Sequence, residues 1–189
     1  NLWGGTCTHR GCIPTKALLA CSRHYAGLRK LKRLGIQAGE PAFDFSAIKR
    51  HQRQMVQISA LGVEKSLRDA GVTLLCGTGT IRSPGEVLWT DADGNSHALQ
   101  TRHTVIAWGS APLLPPGVEP SRRILTSDGF LALDELPDSV LIVGGSVIGV
   151  EFATLLAELG VQVTLIEMMN RILPAEDEEA AALLNRELA

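Results

Sequence analysis

Only four of the 189 residues are cysteine, and acidic and basic side chains nearly balance at 20 and 18. So few cysteines exclude a secreted scaffold held together by many disulfides, and point a close pair toward redox or metal chemistry. A formal net charge of −2 leaves no basic field for a nucleic-acid partner, because that binding rests on clustered Lys and Arg that release counterions. The richest basic run, RKLKRLG at 29–35, reads as the solvated end of a helix. No apolar stretch reaches the roughly 18 residues that cross a bilayer, and no charged-then-apolar leader opens the chain. A cytoplasmic or mitochondrial-matrix protein with no membrane partner is expected. Internal repeats and low-complexity tracts are also missing. What is present is a 45% apolar composition, enough for a sizeable core in one or two domains.

From Ile13 to about Leu34, leucines and alanines recur at three- and four-residue spacing, so a helix is expected to start close to Cys12. Pro14 suits its first turn, where the missing N–H has no partner in any case. A second long helix is expected from a cap at Asp44 or Ser46 to near Gly71. Then the period changes. VTLLCGTGTI, EVLWT and HALQTRHTVIAWG read as three strands of a small antiparallel sheet, with the Asp-Gly of DADGN turning the second hairpin. The glycines of GTGTI mark a bend or bulge. SAPLLPPGVEPSRR is an irregular connector. SVLIVGG, SVIGVEFATLLAELG and VQVTLIE give strand, helix and strand, a βαβ unit of a parallel sheet. A division near Pro137 is natural, and EDEEAAALLNRELA at the end is helical in pattern.

The close cysteine pair is CTHRGC at 7–12. A zinc site could draw on Cys7, Cys12, Cys21 and His24. However, Cys12 and Cys21 on one helix would lie on opposite faces, about 13 Å apart along its axis. A structural staple closing so short a loop would contribute only about 2 kcal/mol. A redox pair accounts for more of the surroundings. A helix N-terminus and Lys16 one turn later both favour an anionic sulfur at Cys12, and Cys7 is the neighbour able to act as exchange partner. Gly4, Gly5 and Gly11 leave room for backbone or a flat cofactor.

The second motif is Gly144-Gly145-Ser146-Val147-Ile148-Gly149 between a strand and a helix. It departs from G-x-G-x-x-G at Ser146, where a glycine normally lets backbone approach a pyrophosphate. The following strand ends in Glu167, about 20 residues on. An acidic side chain there would accept hydrogen bonds from ribose hydroxyls and repel a 2′-phosphate, so NAD is expected over NADP. A βαβ turn whose glycines serve packing alone is the alternative.

GGTC…GCIPTKALL resembles the redox-active segment of the flavin-dependent pyridine nucleotide–disulfide oxidoreductases, most closely their dihydrolipoamide dehydrogenase branch. VIAWGSAPLLPPGV and ILTSDGFLALDELPDSVLIVGGSVIGVEFATLLAELG extend the likeness over essentially the whole chain. The resemblance implies an α/β fold in two parts. A partial FAD-binding Rossmann-like domain with a small antiparallel β-meander would span 1–137, and the first βαβ unit of an NAD-binding Rossmann-like domain 138–189. It implies that Cys7 exchanges with substrate and that Cys12 lies beside the flavin. Lys16 would lie near the flavin ring, with Glu151 as its counter-charge. Gly4, Gly5, Thr6, Ala107, Gly109 and Ser110 would contact FAD, and Gly144, Gly145, Ser146, Ile148, Gly149 and Glu167 would contact NAD.

Electrons would then pass from dihydrolipoamide to a Cys7–Cys12 disulfide, to FAD and to NAD⁺. The implied partners are a lipoyl domain of a 2-oxoacid dehydrogenase complex and a second copy in a homodimer. Thr8, His9 and Trp108 depart from the family pattern, which usually has an apolar residue, asparagine and threonine there. The chain opens at Asn1 on a glycine run and holds neither an N-terminal flavin glycine motif nor a histidine–glutamate acid/base pair. It therefore reads as a piece of a longer protein, with little flavin binding and no turnover expected of the piece alone. A mercuric or glutathione-type reductase and a flavin-free thiol sensor are the rivals.

Overall fold

The computed structural model describes residues 3–37 and 39–188. Asn1 and Leu2 at the start, Ala38 in the connector and Ala189 at the end of the expected last helix lie outside the described residues. A short helix α1 (Gly5–Arg10) leads into α2 (Cys12–Leu31), which tightens into a 3₁₀ turn (Lys32–Leu34). Helix α3 (Phe45–Asp69) follows, then strands β1 (Thr78–Ser83), β2 (Glu86–Thr90) and β3 (Ser96–Gln100). After a long irregular segment come α4 (Ser127–Ala132), β4 (Ser139–Val143), α5 (Val147–Glu158), β5 (Gln162–Ile166) and α6 (Glu178–Leu188).

Helix α2 forms where the periodicity places it. Pro14 is buried in its first turn, and the face Ala17, Leu18, Leu19 and Ser22 turns inward. That face packs against α3 on one side and α5 on the other. The resulting core holds Leu18, Leu19, Leu131, Phe152, Leu155 and Leu159. Phe130 and Phe152 meet at 4.2 Å between ring centroids, joining α4 to α5. Each fully buried leucine contributes about 1.5–3 kcal/mol relative to exposure. One polar contact lies inside this apolar seam: the hydroxyl of the fully buried Ser22 donates to the Glu158 carboxylate at 2.5 Å.

Strands β1, β2 and β3 form an antiparallel meander in that order. The turn before β3 is held by Asp91, whose Oδ1 accepts from the backbone N–H groups of Asp93 and Asn95. Two strand expectations are corrected. Residues 72–77 of VTLLCGTGTI are irregular, and so are residues 101–109 of HALQTRHTVIAWG. An apolar β-branched run becomes a strand only when its backbone pairs with a partner, and no described strand forms a ladder with either segment. The backbone bends at Gly77, with φ 147 and so close to β2 that a Cβ would lie 2.0 Å from the Thr90 carbonyl oxygen. The ladder irregularity falls further on, between Ile81 and Ser83.

Strands β4 and β5 pair in parallel with α5 as the crossover between them. One face of this pair packs under α5, while Leu141 and Val143 point away and are exposed. Thus the chain has the α/β architecture expected: a helical portion with a small antiparallel meander, then a parallel βαβ unit. No described helix is long and apolar enough to cross a membrane.

Helix α4 is short and ends inside the protein, where its last carbonyls need donors. Lys49 of α3, only 3% exposed, supplies one by donating Nζ to the Leu131 carbonyl at 2.5 Å. Burial pulls the Lys49 ammonium below its ordinary pKa. Replacing Lys49 with alanine leaves that carbonyl unpaired and opens a gap under α4. Denaturant unfolding is expected to show a loss of about 2 kcal/mol.

Candidate functional site

Helix α1 was not foreseen from the sequence, and it carries Cys7. Its start is set by two glycines with positive φ, Gly4 at 105 and Gly5 at 60. A side chain at Gly4 would collide with Thr8, because a Cβ there would lie 2.3 Å from the Thr8 hydroxyl oxygen. Thr8 is buried under this turn. His9 donates Nε2 to the Trp3 carbonyl at 2.9 Å and ties the helix back to the segment before it. Six residues that open on Gly5 after a glycine cap carry no apolar period, so only these backbone constraints mark the helix.

Gly11 joins α1 to α2 with φ −142 and ψ −109. The two helices approach so closely there that a Cβ would stand 3.1 Å from the Thr6 carbonyl oxygen and 3.4 Å from the Cys7 Cα. Cys7 on α1 is thereby folded back onto Cys12, the first residue of α2. The four cysteines are free thiols, and Cys7 and Cys12 are exposed. Their hydrogen bond is the largest cause holding the Cys7 thiol above its ordinary pKa. Removal from water and the charge on Cys12 add to it, while the Lys16 charge opposes.

Lys16, one turn beyond Cys12, donates Nζ to Glu151 Oε1 of α5 at 2.6 Å. The lysine side chain is 56% exposed, so water screens the pair and its contribution to stability stays below about 1 kcal/mol. Its geometric effect is to hold the thiol end of α2 against the first turns of α5. Gly109, with φ 84, also reaches this region: a Cβ there would lie 3.5 Å from the Thr6 hydroxyl oxygen. Ala107 and Ser110 flank it on exposed backbone, and Trp108 is 80% exposed. Cys7, Cys12, Lys16, Glu151, Thr6 and Gly109 thus form one cluster.

The glycine turn forms a second cluster at the N-terminus of the same helix α5. Gly144 has φ 108, a conformation that favours glycine. Gly149 is where strand and helix press together, since a Cβ would lie 1.9 Å from the Gly144 carbonyl oxygen. Ser146 is the N-cap in extended backbone, its side chain making no capping bond. Ile148 is exposed beside it. Glu167 folds back over the turn, Oε2 accepting from the Gly145 N–H at 2.7 Å and Oε1 from the Met169 N–H at 2.8 Å. These bonds, Met169 first and Gly145 next, hold its carboxyl below the usual value near 4.5. Two further contacts escaped sequence reasoning: the Arg10–Asp128 ion pair at 3.2 Å and the Ser22–Glu158 hydrogen bond. Both join residues more than a hundred positions apart, and no local pattern announces them.

A thiol pair at one helix start and a glycine turn at another, joined through α5, define a nucleotide-dependent disulfide oxidoreductase scaffold. The family model described as pyridine nucleotide-disulphide oxidoreductase matches residues 2–189, and the chain belongs to that family. It is 37% identical over 184 residues to the dihydrolipoyl dehydrogenase of Chlorobaculum tepidum, covering 97% of this chain and 39% of that protein. The Bacillus subtilis dihydrolipoyl dehydrogenase is 37% identical over 185 residues, again with 39% of its length matched and 93% of this chain. The crystal structure of LpdA from Mycobacterium tuberculosis superimposes with a TM-score of 0.85 at 29% identity, covering 97% of this chain and 41% of that one. The chain therefore spans about two fifths of the length of these relatives.

Gly149→Ala places a methyl group against backbone that cannot rotate away. A loss of about 1–3 kcal/mol is expected in thermal unfolding, with α5 displaced from β4. Because the folded Glu167 value lies below 4.5, its tie to the turn is complete above that pH. The tie is lost as pH falls through the folded value. The Gly145 amide resonance is expected to shift with an apparent pKa below 4.5, as read by an NMR titration.

Proposed function

We propose that the protein carrying this chain is a dihydrolipoamide dehydrogenase, using FAD and NAD⁺ and acting through Cys7 and Cys12. The observation that carries this reading is the pair of exposed thiols that the close approach at Gly11 brings together at the start of α2, one turn from the Lys16–Glu151 contact. The dihydrolipoyl dehydrogenases among the relatives support the choice of branch. The division near Pro137 fits, because it separates the thiol-bearing portion from the βαβ unit.

In the reaction, a thiolate of the substrate attacks the Cys7 sulfur of the disulfide, and Cys12 departs as thiolate. The second substrate thiol then attacks the mixed disulfide and releases Cys7. Substrate dithiol becomes disulfide, and the cysteine pair gains two electrons. Cys7, exposed and on a short helix that opens on glycine, suits contact with a lipoyl group on a partner domain. Cys12, anchored at the start of a 20-residue helix, suits a fixed position beside the flavin.

The residues present fit both cofactors. Left-handed Gly5 and Gly109 leave backbone unshielded near the thiols for a flat ring, with Gly4, Thr6, Ala107 and Ser110 adjoining. Gly144, Gly145, Ser146, Ile148 and Gly149 present the α5 N-terminus for a pyrophosphate, and Glu167 closes that turn on the ribose side. When bound, FAD supplies reoxidation of the dithiol and NAD⁺ the final hydride acceptor. Lys16 and Glu151 keep the two portions in register at the ring. A homodimer located in the cytoplasm, or in the mitochondrial matrix in a eukaryote, completes the proposal.

In the whole protein, Cys7→Ser and Cys12→Ser are each expected to lower dihydrolipoamide-dependent NADH formation by at least about a thousandfold while flavin stays bound. Oxidised wild type in which both thiols remain open to alkylation would overturn the reading. So would turnover that runs on NADPH in place of NADH.

A further inference from the structure

The two sulfurs ride on different helices, and only Gly11 joins those helices. Cys12 is fixed, because the first turns of α2 are buried and the helix packs against α3 and α5. Cys7 depends on how α1 is held. The end of α1 next to the Gly11 joint is its last residue Arg10, whose Nη1 donates to Asp128 Oδ2 at 3.2 Å. Asp128 is a firm anchor: it lies in the first turn of α4, whose start is capped by the Thr126 hydroxyl accepting from the Gly129 N–H. The other end of α4 is held by buried Lys49 through the Leu131 carbonyl. Arg10 thus connects the loop between the cysteines to an element secured at both ends.

We infer that the Arg10–Asp128 ion pair is a positioning device that sets the reduction potential of the Cys7–Cys12 couple. The inference rests on the redox role proposed for these cysteines. A disulfide needs its two Cα atoms about 4.4–6.8 Å apart with converging Cβ directions. The pair adds to the buried Thr8 and the tie from His9 to Trp3, narrows the turning of α1 about Gly11 and keeps Cys7 facing Cys12 in the dithiol. Less ordering is then left to accomplish when the bond forms, so the clamp favours the disulfide. Neither side chain touches a sulfur, and the effect passes through the orientation of α1.

The test equilibrates the whole flavin-bound protein with buffers of reduced and oxidised dithiothreitol. The cysteine dithiol gives two electrons and two protons to the cyclic disulfide of the buffer, forming the Cys7–Cys12 bond and reduced dithiothreitol. After acid trapping and alkylation, mass spectrometry counts the two states. Asp128→Asn and Arg10→Gln are each expected to lower the equilibrium constant for disulfide formation about twofold to fivefold, the range of a partly exposed ion pair. High salt is expected to lower the wild-type constant toward the same value and to leave both variants unmoved. Arg10→Lys, which keeps the charge, is expected to recover part of the loss.

One constant shared by wild type and both variants, or a salt response common to all three, would overturn the inference while the disulfide itself still forms. If wild type forms no Cys7–Cys12 disulfide at any buffer ratio, the functional reading fails instead. Both substituted side chains reach solvent, and either variant alone suffices for the comparison.

Discussion

Everything described depends on the packing of α2 against α5. These helices belong to opposite ends of the chain, and their contact is what turns two separate sequence motifs into one region of space. Its interior is apolar, with Leu18, Leu19, Leu155 and Leu159 excluding water along the seam. Its register is fixed by polar contacts at two levels: Ser22 with Glu158 deep in the interface, and Lys16 with Glu151 near the solvent end. Apolar burial supplies the attraction but is indifferent to sliding. Directional hydrogen bonds are not, and a slip by one turn would break the Ser22–Glu158 and Lys16–Glu151 contacts together.

That seam explains why the thiols and the glycine turn are placed as they are. Helix α5 presents its N-terminus to the turn at Gly144 and its second turn to Lys16. A single rigid element therefore spaces the two clusters. The close contact at Gly149 fixes α5 against β4, and the Glu167 carboxylate fixes the turn against β5. Position is inherited from sheet to helix to lysine to cysteine, each step through a contact that tolerates little displacement.

What the sequence made legible follows from the range of the forces involved. Local signals were read correctly: the apolar spacing of α2 and α3, the Asp91 turn, and the strand–helix–strand run from Ser139 to Ile166. Each is set by residues within one or two turns of one another. The strands expected at 72–77 and 101–109 do not form, because the residues there have the right composition but no described strand that pairs with them. Helix α1 was missed for the opposite reason: its residues are poor helix formers, and it is held by Gly4, Gly11 and the tie from His9 to Trp3. At the candidate site the residue types were visible in advance. Arg10–Asp128 and Ser22–Glu158 were not, since only the folded chain brings such partners together.

The uncovered side of the β4–β5 pair has a consequence of its own. Leu141, Val143 and Ile166 form an apolar strip at more than 40% exposure, and Met168 continues it at 95%. Surfaces of that kind are adhesive in water, and solutions of the chain would be expected to gain from mild detergent or to stain with dyes that brighten on greasy surfaces. Handling properties of this polypeptide are thus governed by one side of two strands.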